Sequence, residues 1–174
     1  IRALSGVKAK ISDAIGSDGR LLYIPKAVRY FITAIPIDLE RPNTIELRVD
    51  PEVYHIVHIT LNSNVFYWWW RVFGNGFQVD KRDVVSFPLL PIDLKMAQEY
   101  SNRLDDAIED CRVYKNNAGR QVPNINYNFR QDLLLEIDAL LMGSIGLKPH
   151  TRVLASKSNS LSGKMDALRG YNDP

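Results

Sequence analysis

One aromatic segment, 62–88, constrains the fold of this sequence most strongly, because it carries all three tryptophans of the chain. Its large aromatic side chains recur at the i, i+3, i+4, i+7 spacing of one helix face: Phe66, Trp69, Trp70 and Phe73. A helix over 65–73 would therefore bury one aromatic stripe in the core. Ser63 or Asn64 is the expected N-cap, and Gly74 is expected to end the helix in the left-handed conformation.

Strand-like patterns precede this helix. Apolar and polar residues alternate, or β-branched residues cluster, in four segments that predict strands: 7–11, 21–24, 28–35 and 44–49. A turn is expected at Gly16–Gly19. Asp50 and Pro51 suit the start of a helix that would run to Leu61.

The C-terminal third has a helical pattern. Helices are expected over 93–113 and from Asn126 or Asn128 to Gly146, with a polar loop at 115–120 between them. After the aromatic segment, Asp83 is the expected cap of a short turn of helix.

These patterns predict an α+β fold. It would combine a small twisted antiparallel or barrel-like sheet, a Trp-rich helical pair and a C-terminal helical hairpin. The expected organisation is an α/β body over 1–90, the helical hairpin over 91–147 and a flexible polar tail over 148–174.

The composition is that of one ordinary globular domain, with 45% hydrophobic and 24% charged residues in a chain of 174. The net charge is only +2, but residues 1–90 hold 11 Lys or Arg against 9 Asp or Glu, while residues 91–147 hold 6 against 9. A phosphate-binding surface is therefore expected in the first half or in the tail. The single cysteine and the lack of a long apolar run favour a cytoplasmic protein. The chain begins with Ile rather than Met, so we expect a fragment of a longer protein.

No catalytic motif is evident in the sequence. It has no Pro-Pro pair, no Walker loop and no Cys-based zinc pattern, and its one G-x-G, at Gly74–Gly76, follows a predicted helix rather than a strand. His55 and His58 stand about one helical turn apart, but no Cys or Glu accompanies them at ligand spacing. We therefore expect no catalytic centre, no metal and no cofactor in this chain.

The motif N-S-x-x-F-Y-W-W-W-R-V-F-G-x-G-F-x-V-x-K-x-D-V…F-P, which begins at Asn62, resembles the target-recognition region of type II (IIG-like) restriction–modification adenine-N6 DNA methyltransferases. The resemblance runs from about Leu22 to about Leu147 and concerns the C-terminal specificity domain of that prokaryotic family. It implies sequence-specific binding of double-stranded DNA. It also implies a catalytic methyltransferase domain outside this chain, in the same polypeptide or complex, where S-adenosylmethionine would bind.

The resemblance and the residue types together indicate candidate DNA contacts. They are Lys26, Arg29, Tyr30, Trp68, Arg71, Asn75, Lys81, Arg82 and Arg120. Lysine and arginine would hold phosphates, while Arg, Asn and Gln would read base edges in the major groove. The Asn-rich stretch 115–126, which includes Arg120, has the donors and acceptors that such reading needs.

Other interpretations stay open for several of these residues. Arg29 can contact guanine or phosphate, or it can pair with Glu46. Asn75 can bond a base edge or only occupy its turn, and Trp68 can pack in the core or against a base. The alternative function is a protein–protein docking module, in which the aromatic helix and the helical hairpin bind a partner.

Overall fold

A computed structural model of the chain describes residues 2–28, 31–117 and 119–148. Its strands are β1 (Ile15–Pro25), β2 (Thr44–Val49), β3 (Arg112–Asn117) and β4 (Arg120–Ile125). Its helices are α1 (Arg2–Ser5), α2 (Tyr54–Leu61), α3 (Asn64–Phe73), α4 (Lys81–Ser86), α5 (Leu94–Asp106) and α6 (Gln131–Ser144). The DNA-contact candidates Arg29 and Tyr30, and the predicted tail after Lys148, lie outside the described residues.

The N-terminal sheet is an antiparallel pair in which Leu22 of β1 lies opposite Leu47 of β2. Buried and exposed side chains alternate along β2, which confirms the predicted strand 44–49. The turn predicted at Gly16–Gly19 is wrong, because β1 continues through it with an irregular register. Gly19 is needed there because a Cβ would overlap the backbone of Val49.

Two other predicted strands are not paired as strands. Residues 7–11 do not form one, and a 3₁₀ turn at Ile11–Ala14 follows, held by a 2.9 Å bond from the Ile11 N–H to the Phe87 carbonyl. Within the predicted strand 28–35, described residues 31–35 make a single bridge, in which Ile35 and Tyr23 exchange backbone bonds of 2.8 and 3.1 Å. Residues 32–35 are buried without a full strand partner, whereas residues 8–10 are exposed, so strand propensity alone does not supply a pairing partner.

The aromatic helix forms as predicted, and the Ser63 hydroxyl caps it by accepting a 3.0 Å bond from the Phe66 N–H. The side chains that α3 buries are those of Phe66, Tyr67 and Trp70. The prediction that Phe73 is buried is wrong, since its side chain is 55% exposed. It lies in the last turn of the helix, where its ring packs against Trp69 at 5.4 Å between centroids rather than in the core.

Gly74 ends this helix, but the predicted left-handed conformation is wrong. Gly74 is extended, with φ −82° and ψ 177°, and the positive φ of 77° belongs to Gly76. Glycine is required at position 74 by close approach, because a Cβ there would lie 2.5 Å from the Trp70 indole. The predicted cap of the next helix also shifts: α4 starts after Asp80, and Asp83 instead accepts a 3.0 Å bond from the Asp80 N–H.

The C-terminal third differs most from expectation. Helices α5 and α6 lie within the two predicted helical regions, but the predicted extension of the first helix to residue 113 is wrong, because α5 ends at Asp106 and β3 begins at Arg112. The predicted polar loop 115–120 is the end of an antiparallel hairpin, β3–β4. Lys, Asn and Pro are poor strand formers, so pairing between the two strands outweighs their local preference. The α+β class is confirmed, with six helices and two small antiparallel sheets among the described residues, and these sheets do not close into a barrel.

One hydrophobic core joins the N-terminal and C-terminal segments. Polar contacts add to it: the Thr33 hydroxyl donates a 3.2 Å bond to the Ile125 carbonyl, and Arg103 on α5 pairs with Glu136 on α6 at 2.7 Å. None of the helices in the described part of the chain has the length and apolar character needed to cross a membrane.

Candidate functional site

A groove of about 650 Å³ opens between the segment after β1 and the β3–β4 hairpin. We call it the hairpin groove. It is lined by Pro25, Ala27, Val28, Phe31, Thr33, Arg41, Phe77, Lys115, Asn116, Val122 and Asn124.

The hairpin presents one of its faces to this groove. Lys115 of β3 lies opposite Val122 of β4, and strand alternation places Asn124 and Arg120 on the same face as Val122. Lys115, Asn116 and Arg120 are exposed, so this end of the hairpin projects into solvent. The exposed end of the hairpin can therefore contact a ligand that is larger than the groove itself.

Two basic side chains stand in the groove, and each has a neighbour that orients it. The Arg41 guanidinium donates a 2.6 Å bond to the Asn124 Oδ1, which ties the segment before β2 to the hairpin. Burial lowers the pKa of Arg41, yet a guanidinium stays protonated at neutral pH. The Lys115 ammonium lies 5.9 Å from the centre of the Phe31 ring.

The lining has a consistent electrostatic character. Arg41 and Lys115 are basic, whereas none of the described lining residues is acidic. The Thr33 hydroxyl donates to the Ile125 carbonyl. The Asn116 and Asn124 Oδ1 atoms accept bonds from the Gly119 N–H and from Arg41, which leaves the two amide NH2 groups beside the cations. This set can hold an anionic group and form directional hydrogen bonds next to it.

The other side of the groove is a tight turn that carries Phe77. The Asn75 Oδ1 accepts bonds of 2.9 and 3.1 Å from the backbone N–H groups of Phe77 and Gln78. The turn joins the groove because the Val79 N–H donates a 3.0 Å bond to the Lys26 carbonyl. Phe77 itself is 86% exposed.

Three predicted contact residues, Lys26, Arg71 and Asn75, lie at or next to this turn. Lys26 is half-buried, directly before the groove residue Ala27. The Arg71 guanidinium donates a 3.2 Å bond to the Gly76 carbonyl, so it holds the turn. Since the Asn75 side chain also bonds within the turn, both residues have a structural role in presenting Phe77.

The other described candidates stand apart from the groove lining. Lys81 and Arg82 are exposed in the first turn of α4, and Trp68 is half-buried on α3. Phe77 and Lys115 are not among the predicted contact residues. Lys115 lies in the Asn-rich stretch 115–126, which was predicted as a whole to contact DNA. No local pattern shows that Phe77 is exposed.

A second polar cluster lies between α2 and α5. The Ser101 hydroxyl is 2.9 Å from the His55 Nδ1 and 2.8 Å from the His58 Nδ1, and the His58 Nε2 is 3.8 Å from an Asp105 carboxylate oxygen. Burial lowers the pKa of His58 to about 3, so its ring is neutral.

This arrangement resembles a catalytic Ser-His-Asp set, but Ser101 and His58 are both 0% exposed, so a substrate cannot reach the hydroxyl. Among the described residues, no group of three or more His, Cys, Asp or Glu side chains is placed to hold a metal ion. The cluster thus joins two helices of the core.

No protein-family model matches this chain, and no curated protein or solved structure matches it either.

Proposed function

We propose that this chain binds double-stranded DNA in a sequence-specific manner through the hairpin groove and the exposed end of β3–β4. The observation that carries the proposal is the lining of the groove, where Arg41 and Lys115 stand beside amide groups and no acidic residue is present among the described lining residues. Phosphates favour such a surface, since each contact with a cation releases a counterion from the DNA.

The hairpin has a suitable shape for this role. A two-stranded β-ribbon is one of the elements that the major groove of B-DNA admits. At the exposed end of β3–β4, Arg120 shares the groove face with Lys115. Asn116 and Gln121 form the adjacent pair on the opposite face, where the Asn116 Oδ1 accepts a 3.0 Å bond from the Gly119 N–H. Arginine pairs with guanine edges, so Arg120 would supply a sequence preference from the groove face of the hairpin.

The resemblance to adenine-N6 methyltransferases supports the same ligand. We propose that the chain is the specificity domain of such an enzyme, with methyl transfer from S-adenosylmethionine on a separate catalytic domain. The duplex would be held here while that domain acts on an extruded adenine. The roles of Arg71, Lys81 and Arg82 in DNA contact remain part of this proposal.

The test is retention of a randomised duplex pool by the full 174-residue chain at low and moderate salt, followed by sequencing. An enriched short motif is expected. Strong retention at low salt without an enriched motif would mean that the chain binds DNA nonspecifically, and it would contradict sequence specificity. Failure to retain DNA at low salt would contradict the whole proposal.

A matched pair of variants links retention to the groove. Lys115→Glu inverts a charge in the groove, whereas Lys95→Glu inverts an exposed charge near the start of α5, outside the groove lining. We expect only the first to abolish retention at moderate salt. Equal losses would mean that net charge, rather than the hairpin groove, determines binding.

A docking module is the second candidate, and a specific observation favours it. Val72 and Phe73 at the end of α3 are 58% and 55% exposed, which gives the aromatic helix an apolar end in solvent. Association through that surface would depend weakly on salt, whereas DNA binding should weaken steeply. Substitution of Val72 and Phe73 by serine would abolish docking and leave DNA retention unchanged.

A further inference from the structure

Phe77 is the most exposed large apolar side chain in the described part of the chain, at 86%. A phenylalanine in this position loses the free energy that burial would provide, and the fold has no need of it for packing. It stands at the rim of the hairpin groove, of which it is a lining residue.

The backbone around Phe77 is held firmly although its ring is exposed. The Asn75 side chain accepts two backbone bonds across the turn, and Gly76 takes the positive φ of 77° that the turn needs. The Arg71 guanidinium bonds the Gly76 carbonyl at 3.2 Å, and Ala27 bridges Gln78 on the other side. These restraints fix the direction of the Phe77 Cα–Cβ bond, so only the two side-chain torsions lose freedom when the ring is bound.

We propose that Phe77 is a wedge whose ring inserts between two base pairs of DNA bound at the hairpin groove. The inference rests on the proposed function and deepens it, because it assigns a role to a side chain that phosphate and base-edge contacts do not use. Apolar wedges that enter from the minor groove partly unstack a base step and kink the duplex, which lets the bent DNA contact more protein surface. Here the ring would open a base step beside the major-groove edges that β3–β4 contacts.

The basic residues of the groove lining favour DNA over an apolar protein partner. On the other side of the turn, the Asp80 carboxylate accepts bonds of 3.3 and 3.4 Å from the Asn75 and Gln78 side-chain amides. Arg41 and Lys115, the two basic residues that line the groove with Phe77, would lose hydration in an apolar interface without gaining an opposite charge. Phosphates on both sides of an opened base step would supply that charge. Val72 and Phe73, the other exposed apolar residues nearby in sequence, do not line the groove.

The test uses the full chain and a closed circular plasmid. Topoisomerase I relaxes the plasmid at low salt while the protein is bound, and the topoisomers are compared after the protein is removed. Insertion of the ring unwinds the duplex, so bound protein should shift the topoisomer distribution toward lower linking number. Phe77→Ala should bind about tenfold more weakly and, at matched occupancy, should lose the shift. Phe77→Trp should retain it, because an indole can also stack.

Phe129→Ala is the matched control, because Phe129 is 60% exposed but does not line the groove. It should bind and unwind the plasmid like the unmodified chain. The proposed insertion of Phe77 is wrong if the unmodified chain binds the plasmid without unwinding it, or if Phe77→Ala unwinds it equally at matched occupancy. In either case the DNA-binding proposal stands. If the chain does not bind the plasmid at all, both proposals are wrong.

Discussion

The carboxylate of Asp138 on α6 accepts hydrogen bonds of 3.0 and 3.3 Å from the backbone N–H groups of Asn64 and Val65 at the start of α3. A third bond, of 2.8 Å, comes from the Asn64 side-chain amide. A side chain distant in sequence thus satisfies backbone donors that the first turn of a helix leaves without partners. The aromatic helix is therefore anchored at its start from outside as well as by its own cap.

Replacing this acceptor should destabilise the fold. Asp138→Asn can keep the two backbone bonds at its Oδ1 but places its amide NH2 against the Asn64 side-chain donor, and we expect a loss of about 1 kcal/mol in the free energy of unfolding. Urea denaturation followed by tryptophan fluorescence measures it. Asp132→Asn on the same helix is the control, because Asp132 is exposed; a loss as large as that of Asp138→Asn would contradict the anchoring role.

Asp138 should also contribute to the pH dependence of stability. Burial raises the pKa of Asp138 from 3.8 to about 6, against the lowering effect of its hydrogen bonds. Since the folded state binds this proton more tightly than the unfolded state, its contribution to stability is full below pH 3.8 and is lost as pH rises through about 6. As pH rises across this range, the urea midpoint should lose the contribution of Asp138 in the unmodified chain but not in Asp138→Asn, so it should fall less in the variant.

His58 should have the opposite effect, because burial lowers its pKa from 6.5 to about 3. The unfolded state then binds the proton more tightly, so stability is full above pH 6.5 and is lost as pH falls toward 3. One such group gives a slope of at most about 1.4 kcal/mol per pH unit. His58→Asn should flatten the acidic limb of the curve of unfolding free energy against pH, whatever its effect at neutral pH; an unchanged limb would contradict the burial of a neutral ring.

Salt dependence should separate groove cations from other surface charges. If Lys115 contacts a phosphate, Lys115→Ala should reduce the slope of log K against log salt concentration by about 1 for the DNA complex. Fluorescence anisotropy of a labelled duplex measures it. Lys95→Ala should leave the slope unchanged, and a slope change for Lys95→Ala alone would place the contact elsewhere.

Two glycines should respond in opposite directions to substitution by alanine. Gly74→Ala brings a Cβ to 2.5 Å from the Trp70 indole, which must move, so we expect a destabilisation of about 2 kcal/mol. Gly143→Ala in α6 meets no atom within 4 Å and should stabilise by about 0.5–1 kcal/mol through helix propensity. Thermal unfolding of both variants checks the contrast.

Part of the candidate site could be predicted from the sequence. Three segments stood out by residue type: Lys26, the Gly-Asn-Gly turn and the Asn-rich stretch 115–126. These segments lie around the hairpin groove. Their arrangement could not be predicted, because it depends on backbone bonds such as that from Val79 to Lys26, which no local pattern reports. The same holds for Arg71 and Asn75, whose polar groups bond within the turn.

The sequence by itself determined the elements whose signals are local: the aromatic helix with its Ser63 cap, the strand 44–49, and the α+β class. Helix periodicity, capping chemistry and strand alternation act over a few residues, so they survive without knowledge of the rest of the chain. Only the tertiary structure decided which aromatic side chains are buried, that β3 and β4 pair, and that Phe77 is exposed beside two cations. The reason is that pairing and burial depend on contacts between segments distant in sequence, and these contacts override local preferences.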